Sequence, residues 1–185
     1  MRLQCSGGRG LRTGVGPELR SAHQAVDDRF PTLAREGYTI TSPRDDNYNC
    51  VAWIVRDLRR WWEPALDGGY WPRRVSEDEL DAGDLPEYRR VFESLGFREC
   101  ADGSLVHGQE KIAVYAERDS FQHVAYQRFD GSWSSKLGKL NDVRHSDTAS
   151  LSGSSPFEYP RVAHYMSRAR EPHDLAESES GLLRL

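Results

Sequence analysis

The spacing of apolar residues along the chain changes once, near Gly108. Upstream, apolar positions recur at intervals of three and four, and downstream they alternate, so a helical first half should be followed by strands. In "DNYNCVAWIVRDLRRWW" (46–62), Val51, Ile54, Val55, Leu58 and Trp62 form one stripe opposite Arg56, Asp57, Arg59 and Arg60. That pattern predicts a helix over 49–62, ended by Pro64. The stretch "DLPEYRRVFESLGF" predicts a second helix, with Pro86 suited to the first turn, Tyr88, Val91, Phe92 and Leu95 on one face, and Gly96 as the stop.

After Gly108, "EKIAVYAE", "FQHVAYQRF" and "GSWSSKLG" predict strands over 110–116, 121–128 and 132–137, joined first by "RDS" and then by the turn-forming pair Asp130-Gly131. In the middle strand, alternation places Phe121, His123, Ala125 and Gln127 on one face and Val124 and Tyr126 on the other. "YPRVAHYMSRA" closes the domain as a helix or a strand. The expected fold class is α+β, N-terminal helices packed on an antiparallel β-meander. Residues 1–28, rich in Gly, Arg and Ser, are expected to be a flexible segment, 29–170 a single domain, and 171–185 a flexible tail.

Composition narrows the function classes. With 185 residues, 37% of them hydrophobic, the chain can bury the core of one domain. A formal charge of −4 supplies no basic stripe for phosphates, so no nucleic-acid partner is expected. Cys5, Cys50 and Cys100 are an odd set without paired spacing, which argues for free thiols in a reducing compartment. No run of about 18 apolar residues exists to span a membrane, and "MRLQCSGGRGLRTGVGPELR" lacks the apolar core of a secretory signal, so a cytoplasmic location without membrane association is expected.

Cys50 is the sharpest candidate for chemistry. At the first turn of its predicted helix, unpaired N–H groups and the helix dipole would stabilise a thiolate. Asn49 and Asn47, just before it, are either helix caps or amide donors to the oxyanion formed when a thiolate attacks a carbonyl; capping is the commoner use. A nucleophilic thiol needs a base, and His123, fixed in a strand, is better placed than His23, His107 and His173 in expected loops and tails. The competing reading of His123 is a core histidine satisfied by a hydrogen bond.

A helix-start Cys followed by a His in a downstream strand resembles the order of papain-like thiol enzymes. The words "YTITSPRDDNYNCVAW", "RRWWEP", "YWP", "SLGFREC", "EKIAVYA", "HVAYQ" and "DGSWSSKLG" resemble a bacterial domain family of unassigned function, placed within the papain-like superfamily, over residues 30–168. The resemblance implies Cys50 as nucleophile and His123 as the general base that later protonates the leaving group. It implies a third member on or after the next strand, where Ser135 comes first, with Asn141 and Asp142 behind it. The implied function is a cytosolic Cys–His thiol hydrolase or acyl transferase acting on an amide, peptide, isopeptide or ester through a thioester, with a peptide or other acyl-bearing substrate, proteins included, and no cofactor.

Other features carry less. Trp61, Trp62, Tyr70 and Trp71 either line a groove or pack at the base of the Cys helix, packing being the default. Cys50, Cys100, His107 and His123 lack zinc-ligand spacing, so no metal is expected. Lys136 pairs either with a substrate carboxylate or with a solvent-exposed acid, and the surface reading is the favoured one. The alternative to the enzyme is a catalytically silent papain-like binding or regulatory module. Turnover requires Cys50 and His123 within hydrogen-bond reach, whereas a silent module has the pair separated or sealed by aromatic side chains.

Overall fold

A computed structural model describes residues 16–64, 67–72 and 84–170. The expected C-terminal tail, Cys5 and part of the connection after Pro64 lie outside the described residues. The chain is α+β. Helices α1 (Pro17–Asp27) and α2 (Pro31–Glu36) come first, then strand β1 (Tyr38–Ile40), the short helix α3 (Cys50–Ile54) and helix α4 (Leu85–Ser94). Six strands follow: β2 (Arg98–Cys100), β3 (Gln109–Glu117), β4 (Ser120–Gln127), β5 (Trp133–Lys136), β6 (Asp142–His145) and β7 (Val162–Ala169), with a 3-10 turn at Thr148–Leu151.

The strands make one antiparallel sheet in the order β1-β6-β5-β4-β3-β7-β2. Its central meander is the one predicted. The closing stretch is a strand, and it pairs with β3 on one side and β2 on the other.

Each face of the sheet has its own core. On one, Ile112, Val114, Val124 and Met166 meet Val51 and Ile54 of α3 and Tyr88, Val91 and Phe92 of α4. On the other, Ala113, Tyr115, Ala125 and Val143 meet Val26 of α1 and Phe30 and Leu33 beside and within α2. The expectation of a flexible segment over 1–28 is therefore corrected for its second half. Residues 17–27 form a helix whose Val26 is fully buried, because a single apolar anchor near its end suffices to dock an otherwise polar helix.

The helix predicted over 49–62 is also corrected: it ends at Ile54. Arg56 adopts φ 58°, the Asp57 N–H reaches back to the Ala52 carbonyl at 2.9 Å, and the Arg56 N–H reaches Trp53 at 3.1 Å. This is a Schellman-type stop built on a non-glycine residue. The apolar stripe beyond it runs through turns and a bend to Trp62, which bridges Tyr70 and packs at 4.8 Å from that ring. Trp71 stands edge-on to Tyr88, which stacks on Phe121 at 3.8 Å, so these aromatics pack.

Lys136, expected at the surface, is fully buried. Its ammonium donates to the Asp45 carbonyl at 2.7 Å and to the Leu140 carbonyl, and lies 4.9 Å from the centre of the Tyr48 ring. Burial lowers its pKa, against the opposing pull of Asp142, Asp45 and Asp46. The lysine thus pins to the sheet the segment that delivers Cys50. Lys136→Ala should cost about 2–4 kcal/mol in urea unfolding by leaving a cavity and two unpaired carbonyls, and Lys136→Met, which keeps the stem, about half as much. Equal stability of all three proteins would refute the pinning.

Candidate functional site

Strand β4 organises the site. It pairs with β5 only at Tyr126–Ser134 and Gln127–Trp133, so among the described residues no strand lies along its β5-facing edge over 121–125, and α3 packs against β4. Asn49 caps α3: its Oδ1 accepts from the Ala52 N–H at 3.1 Å and from the Trp62 N–H at 3.3 Å, while its Nδ2 donates to the Trp62 carbonyl at 2.7 Å. Its oxygen is used by the cap and one of its two Nδ2 hydrogens by the Trp62 carbonyl, so capping is the role the bonds show. Asn47 is also occupied, its N–H and Nδ2 both donating to Asp45 Oδ1 at 2.8 and 2.7 Å in a local turn.

Cys50 follows its cap and is buried in the core cluster that includes Val124. Backbone N–H groups of Val124, Val51 and Cys50 itself favour a negative sulfur. Burial opposes them and wins, with Glu63 adding to it, so the thiol is pushed up to about 11. The thiolate expected from the helix start is absent at neutral pH, because one turn of helix supplies too small a field to offset desolvation.

His123 lies on the other face of β4. It pairs with Tyr115, and between Tyr115–His123 and Ala116–Phe121 the register shifts by one residue, making Gln122 the extra residue of a β-bulge. Strict alternation had put Phe121 and His123 together. The bulge sends Phe121 to Tyr88 and Phe92 on the α3–α4 face and His123 to Tyr115 and Tyr159 on the other. The imidazole lies flat on the Tyr159 ring, centroids 4.1 Å apart and planes 1° from parallel. Its Nε2 is buried without a hydrogen-bond partner among the described residues, and burial first, then the neighbouring His145, hold its pKa well below the ordinary value.

The structure brings Ser135 to a different histidine. Its hydroxyl lies 3.0 Å from His145 Nε2, and His145 Nδ1 lies 2.8 Å from the Asp147 carbonyl. If Nδ1 carries the proton it donates to that carbonyl, and Nε2 then accepts from Ser135. Burial drives His145 down to about 4, against the raising pull of Asp147. Asn141 Nδ2 donates to the Ser42 carbonyl at 2.9 Å, and Asp142 Oδ2 accepts from the Tyr48 hydroxyl at 2.7 Å. Ser135, Asn141 and one carboxylate oxygen of Asp142 thus bond elsewhere, while Asp142 Oδ1 is buried with no hydrogen-bond partner among the described residues.

Two residues of this region escaped the sequence reading. His145 was legible in principle, since alternation in "DVRH" puts it on the core face with Val143. Tyr159 was not, because it sits on an irregular segment whose partners are set by the fold. Among the described residues, no group of three or more His, Cys, Asp or Glu side chains is placed to hold a metal ion, and no helix is long and apolar enough to cross a membrane.

Cys50, His123, Ser135, His145 and Tyr159 all fall within residues 39–167, which match one family model, described as a domain of unknown function (DUF7689). The chain belongs to this family. The match spans more than half of the chain and excludes α1 and α2, so the family's shared portion is the sheet with α3 and α4. No curated protein and no solved structure matches the chain.

Proposed function

We propose that this member of the family is a latent Cys–His thiol hydrolase or acyl transferase with a papain-like arrangement. In it the Cys50 sulfur attacks an amide or ester carbonyl, His123 accepts the thiol proton and returns it to the leaving group, and water or an acceptor nucleophile resolves the thioester. The observation that supports the reading is that Cys50 packs beside Val124, the residue next to His123, although the His123 side chain points to the other face of β4. The sulfur sits in the field of the Val124 N–H, and Val124 directly follows His123. The three N–H groups around the sulfur are the kind of donors that stabilise an anion there. The form described is closed: the thiol is neutral and the imidazole rests against an aromatic ring.

That seal favours the second reading, a silent binding or regulatory module. The two separate on acyl transfer. Incubated with a p-nitrophenyl acyl ester, the wild-type protein should slowly gain the mass of the acyl group on Cys50. Cys50→Ala should abolish that adduct and His123→Ala should slow it at least about tenfold, within the usual contribution of a general base. Acylation confined to Cys100, or indifferent to His123, supports the silent module instead.

A further inference from the structure

The segment 152–160 runs from the 3-10 turn to β7, and its one large inward side chain is Tyr159. The Tyr159 N–H donates to the Leu151 carbonyl at 2.9 Å, so the tyrosine enters the core beside the last residue of the turn. There its ring contacts Phe30 at 5.6 Å, Tyr115 at 5.9 Å and His123 at 4.1 Å. Its phenol is within electrostatic reach of Cys50, which, after burial, raises it further. Among the described residues, Tyr159 is thus the side chain that stacks on His123.

The rest of the segment is held lightly, and from one side. Glu158 is its main tie: Oε1 accepts from the Thr32 N–H at the start of α2 at 2.6 Å, and Oε2 accepts from the Ser155 N–H at 3.1 Å. A Cβ on Gly153 would run into that carboxylate, so any larger residue there would have to push Glu158 aside. Ser155 Oγ donates to the Arg29 carbonyl at 2.9 Å, and Arg29 lies over the ring of Phe157, which is 54% exposed. The ties to Thr32 and Arg29 reach the chain just before and within α2, and they are part-buried or exposed, the profile of a segment that opens locally at low cost.

We infer that 152–160 is a strap and Tyr159 its plug: seated, the ring occupies the space against His123 that the imidazole or a substrate needs, and lifting the strap lets His123 and Cys50 engage. This rests on the hydrolase reading and adds the device that keeps it latent. Tyr159 is thus a positioning residue, acting through the imidazole it covers.

The test is iodoacetamide alkylation of Cys50 in the full chain, followed by peptide mass spectrometry from pH 5 to 9. Tyr159→Phe keeps the stacked ring and should leave the slow wild-type rate unchanged. Tyr159→Ala, and independently Glu158→Gln, which frees the strap without touching the ring, should each raise the Cys50 rate at least tenfold. The rise should follow a pH profile that disappears when His123→Ala is added. Near-UV circular dichroism and the urea midpoint of each variant distinguish an opened strap from an unfolded chain, and Glu158→Gln stands in if Tyr159→Ala does not fold. If Cys50 reacts no faster in the folded variants, the strap is not a cover, while the acylation test still judges the hydrolase. If Cys50 opens but ignores His123, the cover stands and the hydrolase reading falls.

Discussion

In the native wild-type protein, iodoacetamide at pH 7.5 should modify Cys100 and leave Cys50 almost untouched, with rates differing by at least about 100-fold. An ordinary thiol near 8.5 is roughly a tenth ionised at that pH. A thiol at about 11 holds on the order of 300 times less thiolate, and only the thiolate reacts. Access acts in the same direction, since Cys50 is 8% exposed and lodged among core side chains, whereas Cys100 is partly exposed. In about 6 M urea, where both thiols meet water, the rates should converge. Comparable native rates would show the thiol activated at rest and would remove the reason to call the site latent.

The second large effect is acid destabilisation. His145 is pushed down to about 4 in the folded protein, whereas in the unfolded chain it titrates near 6.5. Between those values the unfolded chain binds the extra proton, so stability falls as pH falls. The contribution is whole above about pH 6.5 and is lost toward pH 4, on the order of 3 kcal/mol for this residue. His123, also shifted down by burial, adds to the loss, while Asp142, whose carboxyl burial raises, opposes it by gaining stability on protonation. Urea unfolding from pH 7 to 4 should show a steep decline, and His145→Gln should flatten it. A flat profile in the wild type would mean that the two histidines are not buried as neutral groups.

What the sequence alone determined is what local periodicity controls. The three central strands, their order and the helix over 85–94 follow from alternation, from Pro86 and from Gly96, because each depends on neighbours within a few residues. The cap at Asn49 and the turn into Cys50 were legible for the same reason. Tertiary structure decided everything in which distant segments compete. It stopped the Cys50 helix at Ile54, because Leu58 lies beyond the Arg56 turn and Trp62 finds its partner in Tyr70. It buried Lys136 by giving its ammonium two carbonyls and an aromatic face from other loops. It inserted Gln122 into the ladder, and that one residue turned His123 to the face opposite Phe121. Above all it set the protonation of the pair: a helix start and a strand histidine suggest a thiolate and a base, yet whether a buried group ionises depends on the water removed around it, and no local spacing encodes that.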